Sequence, residues 1–169
     1  MTPKQLVLIR HAKAADGPVD LERPLTDRGR RDAGAIGQFL ARAGISLDLV
    51  VVSPALRARQ TWERAQSELA GTVPLDLDGR IYDNQADSLI EVIHDTPAEL
   101  RTIALVGHNP SFEVLAQELD DGQGDPEARQ RLRSGYPTGG IAVFELSGTW
   151  SDLRPGSATL REFAAPRAR

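Results

Sequence analysis

The chain has 169 residues, of which 40% are hydrophobic, and this is enough for one well-packed core, so we expect residues 1–169 to form a single domain. Its formal net charge of -4 at pH 7 provides no basic surface, and we therefore expect neither a nucleic-acid partner nor a membrane partner. The absence of cysteine excludes disulfides, thiolate nucleophiles and Cys-based metal sites, and the lack of an apolar leader or of any run near the ~20 residues that span a bilayer favours a cytoplasmic location.

The first predicted strand, residues 6–9, is an uninterrupted aliphatic run that leads directly into Arg10 and His11. A short apolar run of this kind is typical of a strand that is buried on both faces. In an open α/β sheet, ligands bind just beyond the carboxyl ends of the strands. Arg10 and His11 are therefore candidates for binding or chemistry.

A helix is predicted after this strand. Thr26 has the residue type and position of an N-cap, and Gly44 is expected to end the helix. The residues that we expect this helix to bury recur at helical spacing: Ala33, Ile36, Leu40 and Ala43.

The second strand is predicted over the aliphatic residues 49–52. Ser53 and Pro54 then predict the start of a second helix, with Ser53 as the N-cap and Pro54 at the first helical position. Arg57 is expected one turn into this helix, facing back over the strand ends.

The middle and the end of the chain contain weaker signals. Residues 73–77 predict a weaker strand, whose proline indicates either a sheet edge or the start of the strand, and residues 87–95 predict a helix. The acidic segment 120–126 is interpreted as a solvated loop, since its carboxylates lack the spacing of a calcium site. Residues 141–146 and 158–163 predict two strands joined by a long hairpin loop.

Residues 103–106 form another aliphatic run, and it is followed by Gly107 and His108. His108 thus occupies the same place after its strand as His11 does after the first. A single histidine after a strand is more often structural, whereas the repetition favours a functional pair.

Strands that alternate with helices predict a three-layer α/β/α fold, with a mostly parallel sheet and an antiparallel strand from the C-terminal hairpin.

Three arginines are expected at the same rim of the sheet as the two histidines: Arg10, Arg23 and Arg57. No carboxylate partner for them is evident in the sequence, and each guanidinium can donate two parallel N–H groups to phosphate oxygens. Ordinary surface ion pairs are the alternative for any one of them. Together with the histidines they predict an anion site.

Four segments carry a resemblance to a known family: Arg10-His11-Ala12, Arg23-Pro24-Leu25-Thr26, residues 53–61 (SPALRARQT) and Gly107-His108-Asn109-Pro110. Their order and composition resemble the histidine phosphatase superfamily, which has the phosphoglycerate-mutase-like fold. The small size resembles its SixA branch, the phosphohistidine phosphatases. The matches cover about two thirds of the chain, up to Asn109.

The resemblance implies a phosphoryl transfer that uses no metal and no cofactor. His11 would attack phosphorus and form a phosphohistidine, which water then hydrolyses. Arg10 and Arg57 would hold the phosphoryl oxygens, His108 would support their charge, and Arg23 would add a further contact to phosphate or substrate. The implied partner is a phosphorylated protein, such as a phosphotransfer domain.

The sequence departs from the family pattern at two points. Ala12 replaces the usual glycine after the histidine, which indicates a backbone that does not require positive φ. In addition, the general acid of larger members has no secure counterpart; Asp83 is the better candidate and Glu91 the weaker one, although either also fits a surface carboxylate.

Two other functions are compatible with these residues. One is a small-molecule phosphomonoesterase, acting on a sugar phosphate or a nucleotide-like ester. The other is a phosphate-binding module without turnover, which the presence of Arg10, His11, Arg57 and His108 disfavours. The chain has no room for the insertion that usually roofs small-molecule sites, and this favours a protein substrate by analogy with the fold alone.

Overall fold

A computed structural model describes residues 2–169. Its six strands are β1 (Lys4–Arg10), β2 (Leu49–Val52), β3 (Leu75–Leu77), β4 (Thr102–Gly107), β5 (Ile141–Leu146) and β6 (Thr159–Ala164). Its helices are α1 (Asp27–Arg42), α2 (Leu56–Gln66), α3 (Gly79–Tyr82), α4 (Ala86–His94), α5 (Ser111–Leu119) and α6 (Pro126–Arg133), together with the 3-10 helices Asp20–Glu22 and Trp150–Asp152.

The strands form one sheet in the order β3-β2-β4-β1-β5-β6. The strands β1 to β4 are mutually parallel, β5 is antiparallel to β1, and β6 is antiparallel to β5. The edge position of β3 agrees with the proline before it. The prediction of a mostly parallel sheet with a C-terminal hairpin is confirmed.

Alternate residues of β1 pack into two separate cores, because successive side chains of a strand point to opposite faces. Leu6 and Leu8 join a cluster with residues of α4, α5 and α6. Val7 and Ile9 join a second cluster with residues of α1 and α2. Helices therefore cover both faces of the sheet, as the three-layer prediction requires.

The register of the parallel strands brings three carboxyl ends together. Arg10 pairs with Gly107, and the His11 N–H donates to the Gly107 carbonyl at 2.9 Å. On the other side of β4, the Ser53 N–H donates to the Val106 carbonyl at 3.0 Å. The residues that follow β1, β2 and β4 thus lie side by side.

Gly107 is required at the end of β4 because the backbone there is closely packed. A Cβ atom on this residue would lie 2.5 Å from the Ile81 side chain and 2.6 Å from the Phe112 ring, and both side chains are fully buried. Glycine therefore allows α3 and α5 to pack against the strand that presents His108.

The first helix is mostly as predicted. Thr26 Oγ1 accepts the Gly29 N–H at 3.0 Å, which confirms the predicted N-cap, and Gly44 follows the helix with φ of 69°. The expected burial of Ala43 is wrong: this residue is the exposed C-cap, beyond the buried face that ends at Leu40.

The predicted start of the second helix is also wrong. The helix begins at Leu56 with Ala55 as its N-cap, so Ser53 and Pro54 lie in the loop before it. The physical reason is that the Ser53 hydroxyl contacts His108 and accepts the Ala55 N–H instead of capping the helix.

The C-terminal third contains a helix that the sequence analysis missed. Asp125 accepts the Ala128 N–H at 2.9 Å and Pro126 occupies the first turn of α6, so a capping signal was present in the sequence. The preceding acidic loop is only partly solvated, because Asp120 pairs with Arg129 at 2.9 Å.

Among residues 2–169, none of the helices combines the length and the apolar character that a membrane span requires.

Candidate active site

His11 follows β1 and is buried, with 8% of its surface exposed. Its Nδ1 lies 2.7 Å from the Ala12 carbonyl oxygen. Because a carbonyl can only accept, Nδ1 carries the proton and Nε2 keeps a free lone pair. The segment that follows β1 is also held in place by the Ala12 N–H, which donates to Thr61 Oγ1 at 3.0 Å. Ala12 does not have positive φ, in agreement with the departure from glycine.

The imidazole of His11 is neutral near pH 7. Burial is the largest cause that lowers the pKa of His11, to about 4. The hydrogen bond to Ala12 opposes it, and the positive charges of Arg57, Arg10 and Arg23 act in the same direction as burial. All three arginines are therefore close enough to act on this ring electrostatically. A neutral imidazole with a free Nε2 is a nucleophile.

His108 faces His11 with ring centroids 5.4 Å apart and planes inclined at 57°. Its Nε2 lies 2.8 Å from Ser53 Oγ. Burial lowers the pKa of His108 to about 3, and the neighbouring His11 and Arg57 contribute in the same direction. The two histidines that were predicted from the strand ends thus lie together as a neutral pair.

Arg57, in the first turn of α2, is buried, and its guanidinium is bound by Asp20. Arg57 Nη1 donates to the Asp20 carbonyl at 2.8 Å, and Nη2 donates to Asp20 Oδ2 at 3.1 Å. Arg23 Nη1 donates to Asp20 Oδ1 at 3.0 Å. Tyr82 completes the group, because its hydroxyl donates to Asp20 Oδ2 at 2.6 Å.

Asp20 is the carboxylate that the sequence analysis did not identify, and it corrects the expectation that the arginines lack such a partner. Hydrogen bonds from Tyr82, Arg23 and Arg57 hold the pKa of Asp20 well below its usual range, so this carboxyl is ionised. Its spacing from Arg23, three residues along the chain, was a local signal for this ion pair, whereas its contact with Arg57 spans 37 residues.

Arg10 has contacts that differ from those of the Asp20 group. Its Nη1 donates to the Tyr136 carbonyl at 2.6 Å, and Asn109 Nδ2 donates to the same carbonyl at 3.2 Å. Burial lowers the pKa of Arg10, and the charge of Glu113 opposes this effect. A cavity of about 660 Å³ opens beside Arg10 and Asn109, with Glu113 and Phe163 in its walls.

Within residues 2–169, two buried side-chain nitrogens have no hydrogen-bond partner: Arg10 Nε and His108 Nδ1. Native proteins rarely leave buried polar atoms unpaired. Both atoms belong to residues that the sequence analysis assigned to anion binding. The unpaired nitrogens are therefore consistent with a site whose partner is a ligand.

Asp83 is not joined to these residues. It is exposed at the C-terminal end of α3, and no hydrogen bond within the described chain connects it to the histidines or the arginines. Its neighbour Tyr82 is the residue that approaches the site, with its ring 5.8 Å from that of His108. Glu91 is an exposed residue of α4.

The part of the chain that the structure describes contains no cluster of three or more histidine or carboxylate side chains suited to a metal ion. The positive charge around His11 comes from Arg10, Arg23 and Arg57. Guanidinium groups around a neutral nucleophile suit an attack on a phosphoryl group, because they stabilise the charge on its oxygens.

Comparison with known proteins identifies the family of this chain. Residues 6–89 match the model of the histidine phosphatase superfamily (branch 1). A solved structure described as a candidate phosphohistidine phosphatase SixA from Nakamurella multipartitia is 31% identical, with a TM-score of 0.87 and coverage of 98% of both chains. The chain belongs to the histidine phosphatase superfamily.

Two further relatives match nearly the whole length of this histidine phosphatase. An uncharacterised protein of Mycobacterium tuberculosis is 37% identical over 162 residues, which cover 94% of this chain and 100% of that protein. A candidate SixA phosphohistidine phosphatase from Agrobacterium tumefaciens is 29% identical with a TM-score of 0.79, covering 97% of this chain and 99% of that one. These similarities support a phosphatase that acts on a phosphorylated substrate.

Proposed function

We propose that this histidine phosphatase removes the phosphoryl group from phosphohistidine in a partner protein, through a covalent phosphohistidine on His11. The observation that carries the proposal is the state of His11, which is neutral, has Nδ1 bonded to Ala12, and lies within the field of three arginines. The candidate SixA proteins that resemble this chain over nearly their whole length support the same substrate class.

In the first step, His11 Nε2 attacks phosphorus while the P–N bond to the substrate histidine breaks. The substrate imidazole takes up a proton as it leaves. The hydrogen bond to Ala12 keeps the His11 ring in the tautomer that this attack requires. Arg10, Arg23 and Arg57 neutralise the phosphoryl oxygens, and positively charged donors are the main requirement of such a transfer.

In the second step, the oxygen of a water molecule attacks phosphorus and the bond to His11 Nε2 breaks. Inorganic phosphate leaves and His11 returns to its neutral form. His108 supports the charge on the phosphoryl oxygens in both steps. Its Nδ1 is the buried nitrogen without a protein partner, and it provides the contact to an oxygen that this role needs.

The protonation state of Asp20 favours phosphohistidine over an alkyl phosphate. Expelling an alkoxide needs a strong proton donor, but the Asp20 carboxyl near the arginines is held ionised. An imidazole leaving group has a pKa of ~6.5 and can take its proton from solvent. The site is therefore better suited to a substrate with a nitrogen leaving group.

The proposed reaction uses no metal, because the three arginines provide the positive charge that a metal would supply. A chelator such as EDTA should leave the rate unchanged. An activity that disappears in EDTA and returns with Mg²⁺ contradicts this part of the proposal.

The proposal as a whole is tested with a panel of substrates at equal concentration: a phosphohistidine protein, a phosphohistidine peptide, an aryl phosphate and several alkyl phosphates. Rapid-quench labelling should trap a phosphoprotein that is labile in acid and stable in alkali. His11→Ala should abolish both labelling and turnover, whereas the exposed His94→Ala should retain both. An acid-stable adduct, or a preference for an alkyl ester, contradicts the proposal.

A further inference from the structure

Asp20 lies in an exposed segment between β1 and α1. The base of this segment is fixed by the Ala15 N–H, which donates to the Pro24 carbonyl at 2.8 Å, and by Arg23 Nε, which donates to the Ala15 carbonyl at 2.9 Å. The 3-10 helix Asp20–Glu22 at its tip has no buried residue. Contacts of Asp20 with Arg57 and Tyr82 therefore hold the tip against the site.

The Asp20 carboxylate bridges two arginines that have the same charge. One oxygen accepts from Arg23 at 3.0 Å, and the other accepts from Arg57 at 3.1 Å. Two neighbouring guanidinium groups repel each other in the absence of an anion, and the repulsion is strongest when one of them is buried. Only 8% of the Arg57 side chain is exposed, against 27% for Arg23.

The bridge leaves donors available for a ligand. A guanidinium has five N–H groups, and Asp20 takes two of those on Arg57. Arg23 likewise donates two of its five N–H groups, one to the Asp20 carboxylate and one to the Ala15 carbonyl. Each arginine keeps three N–H groups, which is enough for a two-point contact with phosphate oxygens.

We propose that Asp20 is a positioning residue, which fixes the guanidinium groups of Arg57 and Arg23 in the orientation that binds the phosphoryl group in the transition state. This role rests on the proposed phosphatase function. Asp20 does not itself contact the reacting atoms in this scheme. It lowers the cost of ordering two cations around one phosphoryl group, and such preorganisation raises the rate more than the affinity.

The carboxylate also repels a bound phosphate, so its removal has opposite effects on binding and on rate. Asp20→Ala should lower kcat by at least about tenfold, as expected when a hydrogen bond to a charged group is lost. The inhibition constant of inorganic phosphate should stay the same or fall, because a negative charge near the anion has been removed. Asp20→Glu should recover part of kcat, since it restores an ionised acceptor.

A second measurement does not depend on turnover. Nitrogen NMR of the Arg57 side chain should reveal slow rotation of the guanidinium in the unmodified protein and faster rotation in Asp20→Asn. If no phosphate substrate is hydrolysed, the proposed function fails, yet this measurement still tests whether Asp20 fixes Arg57.

Asp16→Asn is the matched control, because Asp16 is an exposed carboxylate in the same segment. It should retain kcat, the phosphate inhibition constant and slow rotation of Arg57. The proposal is overturned if Asp20→Asn retains both kcat and slow rotation. It is also overturned if Asp16→Asn loses as much activity as Asp20→Ala, since the segment as a whole would then be responsible.

Discussion

Ser53 Oγ lies 2.8 Å from His108 Nε2, and this contact joins the carboxyl ends of β2 and β4. Both residues are buried, and the serine is fully so. A hydroxyl group at Nε2 fixes the plane of the imidazole and leaves Nδ1 as the nitrogen without a protein partner. Ser53 therefore determines how His108 faces the site.

Ser53→Ala should lower kcat/KM by roughly tenfold, because it removes a hydrogen bond at a buried group while changing the side-chain volume little. The free energy of unfolding should fall by about 1–3 kcal/mol, since His108 Nε2 is left unpaired. Ser111→Ala is the matched control: this buried hydroxyl donates to the His108 carbonyl at 3.0 Å and not to the ring. Steady-state kinetics measure kcat/KM for both variants. Equal losses of kcat/KM in Ser53→Ala and Ser111→Ala would contradict the conclusion that Ser53 orients the His108 ring.

The sequence was informative where structure follows from local pattern. The aliphatic runs of β1, β2 and β4 located the sheet, and the parallel register then brought His11 and His108 to one rim. Thr26 was identified as a cap from its residue type and position, and its partner, Gly29, is only three residues away. Local spacing determines each of these features.

Two of the errors involve residues whose partners are distant in the chain, whereas the missed helix α6 had a local capping signal at Asp125. Ser53 has the residue type of an N-cap, but its hydroxyl contacts His108, 55 residues away. Asp20 lies in a segment without periodicity, and its contacts with Arg57 and Tyr82 span 37 and 62 residues. Such contacts arise only when the strands are assembled, so no local pattern reveals them.

Arg57→Lys should lose transition-state stabilisation of about 3 kcal/mol, or roughly 100-fold in kcat/KM, as for the loss of one oxyanion donor. Lysine keeps the charge but cannot donate two parallel N–H groups. Arg59→Lys is the control, since Arg59 is an exposed residue of the same helix. Loss of folded structure in Arg57→Lys, measured by circular dichroism, would instead make Arg57 a structural residue.

The free energy of unfolding should fall as the pH is lowered from about 6.5 to about 4. His11 has a pKa of about 4 in the folded protein and of ~6.5 in the unfolded chain, so the unfolded chain binds a proton first as the pH falls. This difference corresponds to stabilisation on the order of 3 kcal/mol, which is complete above pH 6.5 and lost at the folded pKa. Urea unfolding at several pH values measures how steeply the free energy of unfolding depends on pH, and His11→Ala should reduce this dependence. If the dependence is equally steep in His11→Ala, the titration of His11 is not its cause.

Gly107→Ala should lower the free energy of unfolding by about 1–3 kcal/mol, because its Cβ would overlap Ile81 and Phe112. Gly79→Ala is a suitable control, since a Cβ there meets no atom within 4 Å. Thermal unfolding should give a clear decrease in Tm for the first variant and little change for the second. A Gly107→Ala protein with unchanged Tm would mean that α3 and α5 move apart freely.

Asp83→Asn tests whether the protein needs a general acid. General acid catalysis contributes ~100 to 10,000-fold, and an alkyl phosphate depends on it because the alcohol is a poor leaving group. Transfer from a substrate histidine to His11 exchanges one P–N bond for another, and the leaving imidazole accepts a proton near neutral pH. The phosphoryl transfer to His11 therefore has a small overall free-energy change. Asp83 is also exposed and joined to no residue of the site by a hydrogen bond within the described chain.

We therefore expect kcat/KM of the unmodified protein to favour phosphohistidine over alkyl phosphates by several orders of magnitude, with slow hydrolysis of an aryl ester. Asp83→Asn should leave kcat/KM for phosphohistidine unchanged, and any loss should be confined to esters. Measuring kcat/KM for both proteins on both substrate types tests this, with Asp87→Asn as an exposed control on α4. If the unmodified protein prefers an alkyl ester and Asp83→Asn loses that activity, Asp83 is the proton donor and the substrate is a small phosphoester, because only an oxygen leaving group makes such a donor necessary.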